Sequence, residues 1–263
     1  MKRSSRPGPK GSLFLWIALF SSFAATAQQQ TPQQAPAAGR HSSISQFLDL
    51  SATIGDKEGA LAASFVHNWR IGKNKKWEAG IGLRLTTYLG SRKDFYTAPA
   101  RLARSTTVPF VIVFAGHEEK NIDTLTIERP FTVSLNISAN VGYHFNSRWY
   151  GGFNIDLLGY TLGSGSSASL VSNGVVTNES LVRPAHFNAL LTGDNDYGSL
   201  NSEFFLRYRL NGRLSIKAVY QFFFAEYKTQ TIRQIAPDGT SVDRFRNKAN
   251  TFGLGLTWHL RSS

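Results

Sequence analysis

A chain without cysteine must draw any chemistry from histidines, hydroxyls, amines and carboxylates. That absence removes disulfides, thiolate catalysis and cysteine-based metal sites together. His67, His117, His144, His186 and His259 are dispersed, and none belongs to a His-x-x-x-His or Glu-flanked pair. Gly163-Ser164-Gly165-Ser166-Ser167 lacks the lysine of a phosphate cradle and reads as a flexible loop. No catalytic, cofactor-binding or metal-ligating residue is therefore expected, and no cofactor. What does recur is charge at fixed parity. Asp49, Glu78, Asp156 and Glu203, with Arg84, Arg207, Arg209 and Lys217, all sit on the polar face of segments whose other face is apolar. Enclosed together, such charges must pair, because an unpaired buried ion costs several kcal/mol.

The elements that must position them are strands. In Asn250–Leu260, Phe252, Leu254, Leu256, Trp258 and Leu260 alternate with Thr251, Gly253, Gly255, Thr257 and His259, a period of two. The same pattern recurs from Phe47 onward, most clearly over 131–145, and the count reaches eight strands. Short turns are expected at 72–76, 146–148 and 211–213, and long connections near 90–130, 163–199 and 226–248. All nine prolines fall outside the strands, as ladder pairing requires. Parity sets the hairpin about Asn211-Gly212: Leu210 opposes Leu214, and a bulge with Gly212 in the left-handed conformation is expected. Trp69, Trp77, Trp149 and Trp258 all point outward at the short-turn end, as an interfacial aromatic girdle would. Eight strands enclose just enough room for side chains. The expected fold is an all-β, eight-stranded antiparallel up-and-down transmembrane β-barrel, with ten strands as the alternative. A soluble barrel would fill its interior poorly with Gly80, Gly82, Gly142, Gly152, Gly253 and Gly255.

Residues 1–27 read as a signal peptide: Lys2, Arg3, Arg6 and Lys10, an apolar core at Leu13–Phe20, and the cleavage site Ala25-Thr26-Ala27. Residues 28–44 read as a disordered Gln/Pro-rich periplasmic leader, and 45–263 as the barrel. With the signal peptide's four cations removed from 29, 25 basic residues still face 17 acidic ones. In an exported protein, scattered cations suit membrane phosphates and acidic sugars rather than nucleic acid.

The stretch around Thr251, Gly253, Leu256 and Trp258 resembles the C-terminal signal read by the barrel-assembly machinery, although Arg261-Ser262-Ser263 replaces the usual terminal aromatic. In layout the chain resembles the small bacterial outer-membrane β-barrel proteins, namely the OmpX and OmpA membrane domains and the PorT-like group. The resemblance implies an outer-membrane location and a structural, surface-binding or secretion-accessory role carried by the outer loops, with an ion-paired lumen. A small-solute or ion channel is one alternative; a lipid A-modifying enzyme using His67 or His144 is another. Expected partners are outer-membrane lipid and lipopolysaccharide, the assembly machinery, and an envelope or extracellular protein. The 90–130 loop offers Arg92, Lys93, Arg101 and Arg104 as candidate contacts. Its apolar run Val108–Ala115 suits a lid, an extra strand pair above the membrane or a partner site.

Overall fold

The computed structural model describes residues 43–103, 121–172, 174–191, 195–236 and 239–261. The expected signal peptide and nearly all of the leader, together with Arg104 and the run Val108–Ala115, lie outside the described residues. Eight long strands carry the architecture: β1 (Ile44–Gly55), β2 (Glu58–Ile71), β3 (Trp77–Gly90), β6 (Phe131–His144), β7 (Trp149–Gly163), β11 (Leu200–Arg209), β12 (Leu214–Thr229) and β15 (Arg244–Arg261). Each pairs antiparallel with the next, and β15 pairs back onto β1 through registers such as Leu50↔Leu256. Followed from strand to strand, the ladder returns to its start. Every strand of the ring thus has a hydrogen-bonded neighbour on both sides, which an apolar surround demands.

The expected long loops are built differently. β12 runs to Thr229 and β15 begins at Arg244, so most of 226–248 is strand rather than loop. At about 3.3 Å per residue, the 16 residues of β12 and 18 of β15 outrun a bilayer crossing. Their outer ends recruit β4 (Lys93–Thr97), β5 (Thr124–Ile127), β8 (Ser166–Ser172) and β9 (Val175–Pro184). β15 pairs with β4, β4 with β5, β5 with β8, β8 with β9, and β9 with β12. The β12–β15 ribbon therefore belongs to two stacked rings, the lower of eight strands and the upper of six. A strand pair does form in the 90–130 connection, from 93–97 and 124–127. The short α1 (Ala100–Ala103), β10 (Phe187–Ala189), β13 (Gln234–Ile235) and β14 (Ser241–Val242) complete the described elements.

The two rings have opposite polarity. In the lower ring Leu50, Leu83, Ile137, Phe204, Ile216 and Leu254 are exposed, while Asp49, Arg84, Asn136, Glu203 and Lys217 are buried. In the upper ring Phe95, Leu125, Leu170, Val182, Phe223, Tyr227 and Phe245 form one buried apolar cluster. Its outside carries a polar row across four strands, Asp94–Thr126–Ser169–Asn178, with hydroxyl bonds of 2.6 Å from Thr126 to Asp94 and 2.9 Å from Ser169 to Asn178. Tyr88 stacks on Phe223 with centroids 5.0 Å apart, and Phe95 meets Tyr227 edge-on at 5.3 Å.

At the short-turn end, the Asn211 hairpin has the expected register, with the Leu210 amide donating to the Leu214 carbonyl at 2.9 Å. Gly212 is not left-handed, however. Asn211 closes the turn instead, its side-chain oxygen accepting from the Arg213 and Leu214 amides at 2.9 Å. Asn146 does the same for Arg148 and Trp149. At the opposite end Lys57 and Arg92 hold φ of 55° and 46° in the tight turns leaving β1 and β3.

Candidate functional site: the lumen and its outer cap

The lower ring's inward rows place the charges in three levels. Nearest the short turns, Glu78 accepts from Arg70 at 3.1 Å and Asn68 at 3.3 Å, and lies 2.8 Å from His144 Nε2. In the middle, Arg207 and Lys217 face each other across the β11–β12 register. Their acids are Asp49, 3.4 Å from Arg207 and 3.1 Å from Lys217, and Glu203, 2.6 Å from Lys217. Thr257 donates its hydroxyl to Asp49 at 2.5 Å. Higher still, Arg84 pairs with Asp156 at 3.4 Å and donates to Asn154 and the Asn201 carbonyl. Asp156 also accepts from Asn136 at 2.7 Å and from the Asn201 amide at 3.0 Å. Glu203 thus stands beside Lys217, whereas Asp156 belongs to Arg84. Arg209 is inward but has no acid within ion-pair distance among the described residues.

Above these levels come Thr53, Gln221 and Thr251, joined by hydroxyl-to-amide bonds of 2.8 and 3.2 Å, and then the apolar cluster of the upper ring. Glu58 sits at the junction, accepting from Tyr88 at 2.7 Å and pairing with Lys93 at 3.1 Å. Lys93 is accordingly a bound strand residue, not the free loop cation expected. Arg92 does face solvent, 4.0 Å from an exposed Glu128, and Arg101 lies within α1. Across the shared ribbon, Glu226 of β12 holds Arg244 at 2.8 Å and Arg246 at 2.9 Å on β15, and Arg244 stacks 3.8 Å over Tyr197. Glu179 on β9 accepts from the Thr231 and Ile232 amides at 2.9 and 3.0 Å, clasping the segment after β12.

Trp69, Trp77, Trp149 and Trp258 are all exposed, each at the short-turn end of its strand. Trp77 packs on Tyr143 and Trp149 on Tyr208, both at 4.9 Å. In β15, Leu256 and Trp258 face outward and Thr251 is buried. Gly253 lies so close to β1 that a Cβ would stand 1.9 Å from the Ala52 carbonyl. Only glycine lets the first and last strands approach there.

Two pairings were not expected from sequence. Arg70 shares its strand's inward row with Asn68, and register sets it beside Glu78, so parity alone would have found it. Ser215 Oγ lies 2.8 Å from His259 Nε2, the one serine–histidine contact among the described residues' side-chain hydrogen bonds. Ser215 is 0% exposed and His259 Nδ1 has no hydrogen-bond partner. With no third group to orient the imidazole and no access, the pair does not make a working nucleophile. His67, outward on β2, binds Gln46 at 2.9 Å and packs on Trp69 at 4.8 Å.

A ring of eight paired strands with an apolar outside and a charged inside defines a small β-barrel of the outer-membrane type. Among solved structures, the chain is similar to Neisserial surface protein A, at 10% identity over 84% of this chain and 99% of that one, with a TM-score of 0.33. It is also similar to Ail, the attachment invasion locus protein of Yersinia pestis, at 12% identity over 84% and 98% of the two chains, with a TM-score of 0.32. No protein-family profile and no curated protein matches the chain.

Proposed function

We propose that this chain is an integral outer-membrane protein whose eight-stranded barrel is closed to conduction and mounts a rigid, water-facing platform for binding at the cell surface. One observation carries the reading: the polarity of β12 and β15 inverts partway along each. On β15 the outward row runs Leu260, Trp258, Leu256, Leu254, Phe252 and then becomes the exposed Asn250 and Lys248, followed by Arg246 and Arg244 paired to Glu226, while the inward row passes from Thr257 and Thr251 to Ala249 and Phe245. A continuous strand cannot exchange its faces, so the surroundings change instead. Hydrocarbon outside a polar lumen gives way to water outside a dry core. The apolar stretch Phe252–Leu260 spans about 20 Å along the normal at a 45° tilt, in keeping with a band of about 25 Å.

Ion pairs filling the lumen and an apolar plug above them support a sealed barrel over an ion path. The buried Ser215 and the packing roles of His67 and His144 support a binding protein over a lipid-modifying enzyme. Exposed Lys57 and Arg92, on the turns at the water-facing end, suit lipopolysaccharide phosphates. The partner class we favour is an envelope or extracellular protein that meets the β8–β9 hairpin, where Val175 and Val176 are 64% and 63% exposed.

Because the chain has no cysteine, single replacements report sidedness cleanly. On intact cells, a membrane-impermeant maleimide should label Ser172→Cys in the upper hairpin and leave Ser147→Cys in a short turn unlabelled until the outer membrane is breached. Equal labelling of both would overturn the topology. In a planar bilayer the folded protein should add no discrete conductance steps; steps that persist in a purified sample would overturn the sealed lumen.

A further inference from the structure

We infer that the barrel wall holds one anionic phospholipid of the inner leaflet, with its phosphate on Arg148 and one acyl chain in a trough on the outside of the ring. The inference rests on the membrane reading above. The trough is the first observation. It has a volume of about 670 Å³, is almost wholly apolar, and runs across the sheet rather than along a strand. Register carries its lower edge from Trp149 to Tyr208, Ile216, Leu256 and Leu50. In the row above, Ala52 and Ala218 stand on either side of Leu254, and their short side chains leave the wall low there. Trp149 opens β7 at the short-turn rim, whereas Leu61, at the far end, lies three residues from the outer start of β2. From β7 to β2 is five strand spacings, about 24 Å at 4.8 Å each. Inclined at about 45°, the trough rises about 17 Å, close to half of a hydrocarbon core about 30 Å thick. It therefore has the depth of one leaflet and begins at the inner one.

Charge at the foot of the trough is the second observation. Arg148 is exposed and donates to the Tyr208 hydroxyl at 3.0 Å, which tethers its guanidinium beside the lower end. The short turns at 72–76, 146–148 and 211–213 carry Lys73, Lys75, Lys76, Arg148 and Arg213, and no acid. A guanidinium grips a phosphate through paired N–H donors. A rim of one sign favours a headgroup with net negative charge over a zwitterionic one. Trp149 and Tyr208 stand between the guanidinium and the apolar trough, at the depth where amphipathic rings meet the glycerol region. Phosphate below, rings at the interface and hydrocarbon above are the order of groups in a phospholipid.

The test is native mass spectrometry of the folded barrel in detergent, titrated with dioleoylphosphatidylglycerol or, with identical tails, dioleoylphosphatidylcholine. One phosphatidylglycerol should be retained per barrel, at about a tenfold lower concentration than phosphatidylcholine needs. Arg148→Gln should remove that tenfold preference and leave phosphatidylcholine unmoved. Filling the trough with Ala52→Phe and Ala218→Phe together should weaken both lipids. Equal retention of the two headgroups, a preference that survives Arg148→Gln, retention indifferent to the two phenylalanines, or a second barrel in place of the lipid would each overturn the site. Where the doubly substituted barrel fails to fold, the headgroup comparison and Arg148→Gln decide. A chain that stays in solution without detergent would instead overturn the membrane reading itself.

Discussion

Replacing Lys217 by methionine isolates the ion-pair network at its most buried point. The ammonium is 2.6 Å from Glu203 and 3.1 Å from Asp49, and all three side chains are at most 4% exposed. Removing one partner of such a pair costs about 3–5 kcal/mol, because the other is left charged and dry. The two acids are not equally abandoned. Asp49 keeps Arg207 at 3.4 Å and the Thr257 hydroxyl at 2.5 Å, whereas Lys217 is the ion-pair partner of Glu203. The loss should therefore fall on Glu203. Urea unfolding of the refolded barrel, followed by tryptophan fluorescence, should show Lys217→Met destabilised by about 3–5 kcal/mol. Adding Glu203→Gln should restore most of that, while adding Asp49→Asn should restore little, a difference that a double-mutant cycle resolves. If Lys217→Met costs less than about 1 kcal/mol, as a solvated pair would, or both second substitutions rescue alike, the reasoning about the lumen is wrong.

Gly253→Val should prevent β1 and β15 from closing, since even its Cβ meets the Ala52 carbonyl at 1.9 Å. The heat-modifiable band of the folded barrel should be lost on an unboiled gel, while Gly212→Ala, whose Cβ would meet nothing within 4 Å, should keep it. Phe223→Ala, at 1% exposure in the upper core, should cost about 3–5 kcal/mol and expose 93–97 and 166–184 to protease. Burial alone would raise the Glu179 carboxyl, but amide bonds from Ile232 and Thr231 and the Thr231 hydroxyl hold it below its ordinary 4.5. A carboxyl lowered in the folded state stabilises above its unfolded value and loses that contribution as pH falls through the folded one. The protection of the amides at 229–232, taken as exchange relative to the intrinsic rate at each pH, should therefore fall as pH drops below about 4.5, and Glu179→Gln should flatten the response.

The ring strands were legible because each keeps one chemical character per face for many residues. The register with Leu210 opposite Leu214 puts Arg207 opposite Lys217 without further information. The upper ring was hidden for two physical reasons. β4 and β5 have five and four residues, too few for a period of two to stand out. On β12 and β15 the inward row changes from polar to apolar in mid-strand, so the pattern breaks where the strand does not. Glu226, Lys228, Arg244, Arg246 and Lys248 then read as a polar loop near 226–248, although Glu226 opposes Arg246 and Lys228 opposes Arg244 in an unbroken ladder. Lys93 was misread for a related reason: its partner Glu58 opens β2, 35 residues earlier, and only the closed β2–β3 pair brings them within 3.1 Å. The Ser215–His259 contact depends on the β12–β15 register, and a lone serine and a lone histidine 44 positions apart carry no local signal.

The stacked rings also bear on how a surface contact would be made. Loops that order only on binding lose about 1–2 kcal/mol per residue of backbone freedom at that moment, which weakens affinity for a given contact area. Here that ordering is completed in folding. β12 and β15 run unbroken from the membrane ring into the cap, and β4, β5, β8 and β9 close around a core shared with Phe223 and Phe245. The β8–β9 tip projects from this frame with Val171, Val175 and Val176 exposed and no charged side chain between Ser166 and Asn178. Changing those valines to serine touches neither the apolar core nor the lumen pairs. It should leave the unfolding midpoint nearly unmoved and alter only what the outer face can bind, separating the two roles of a single folded unit.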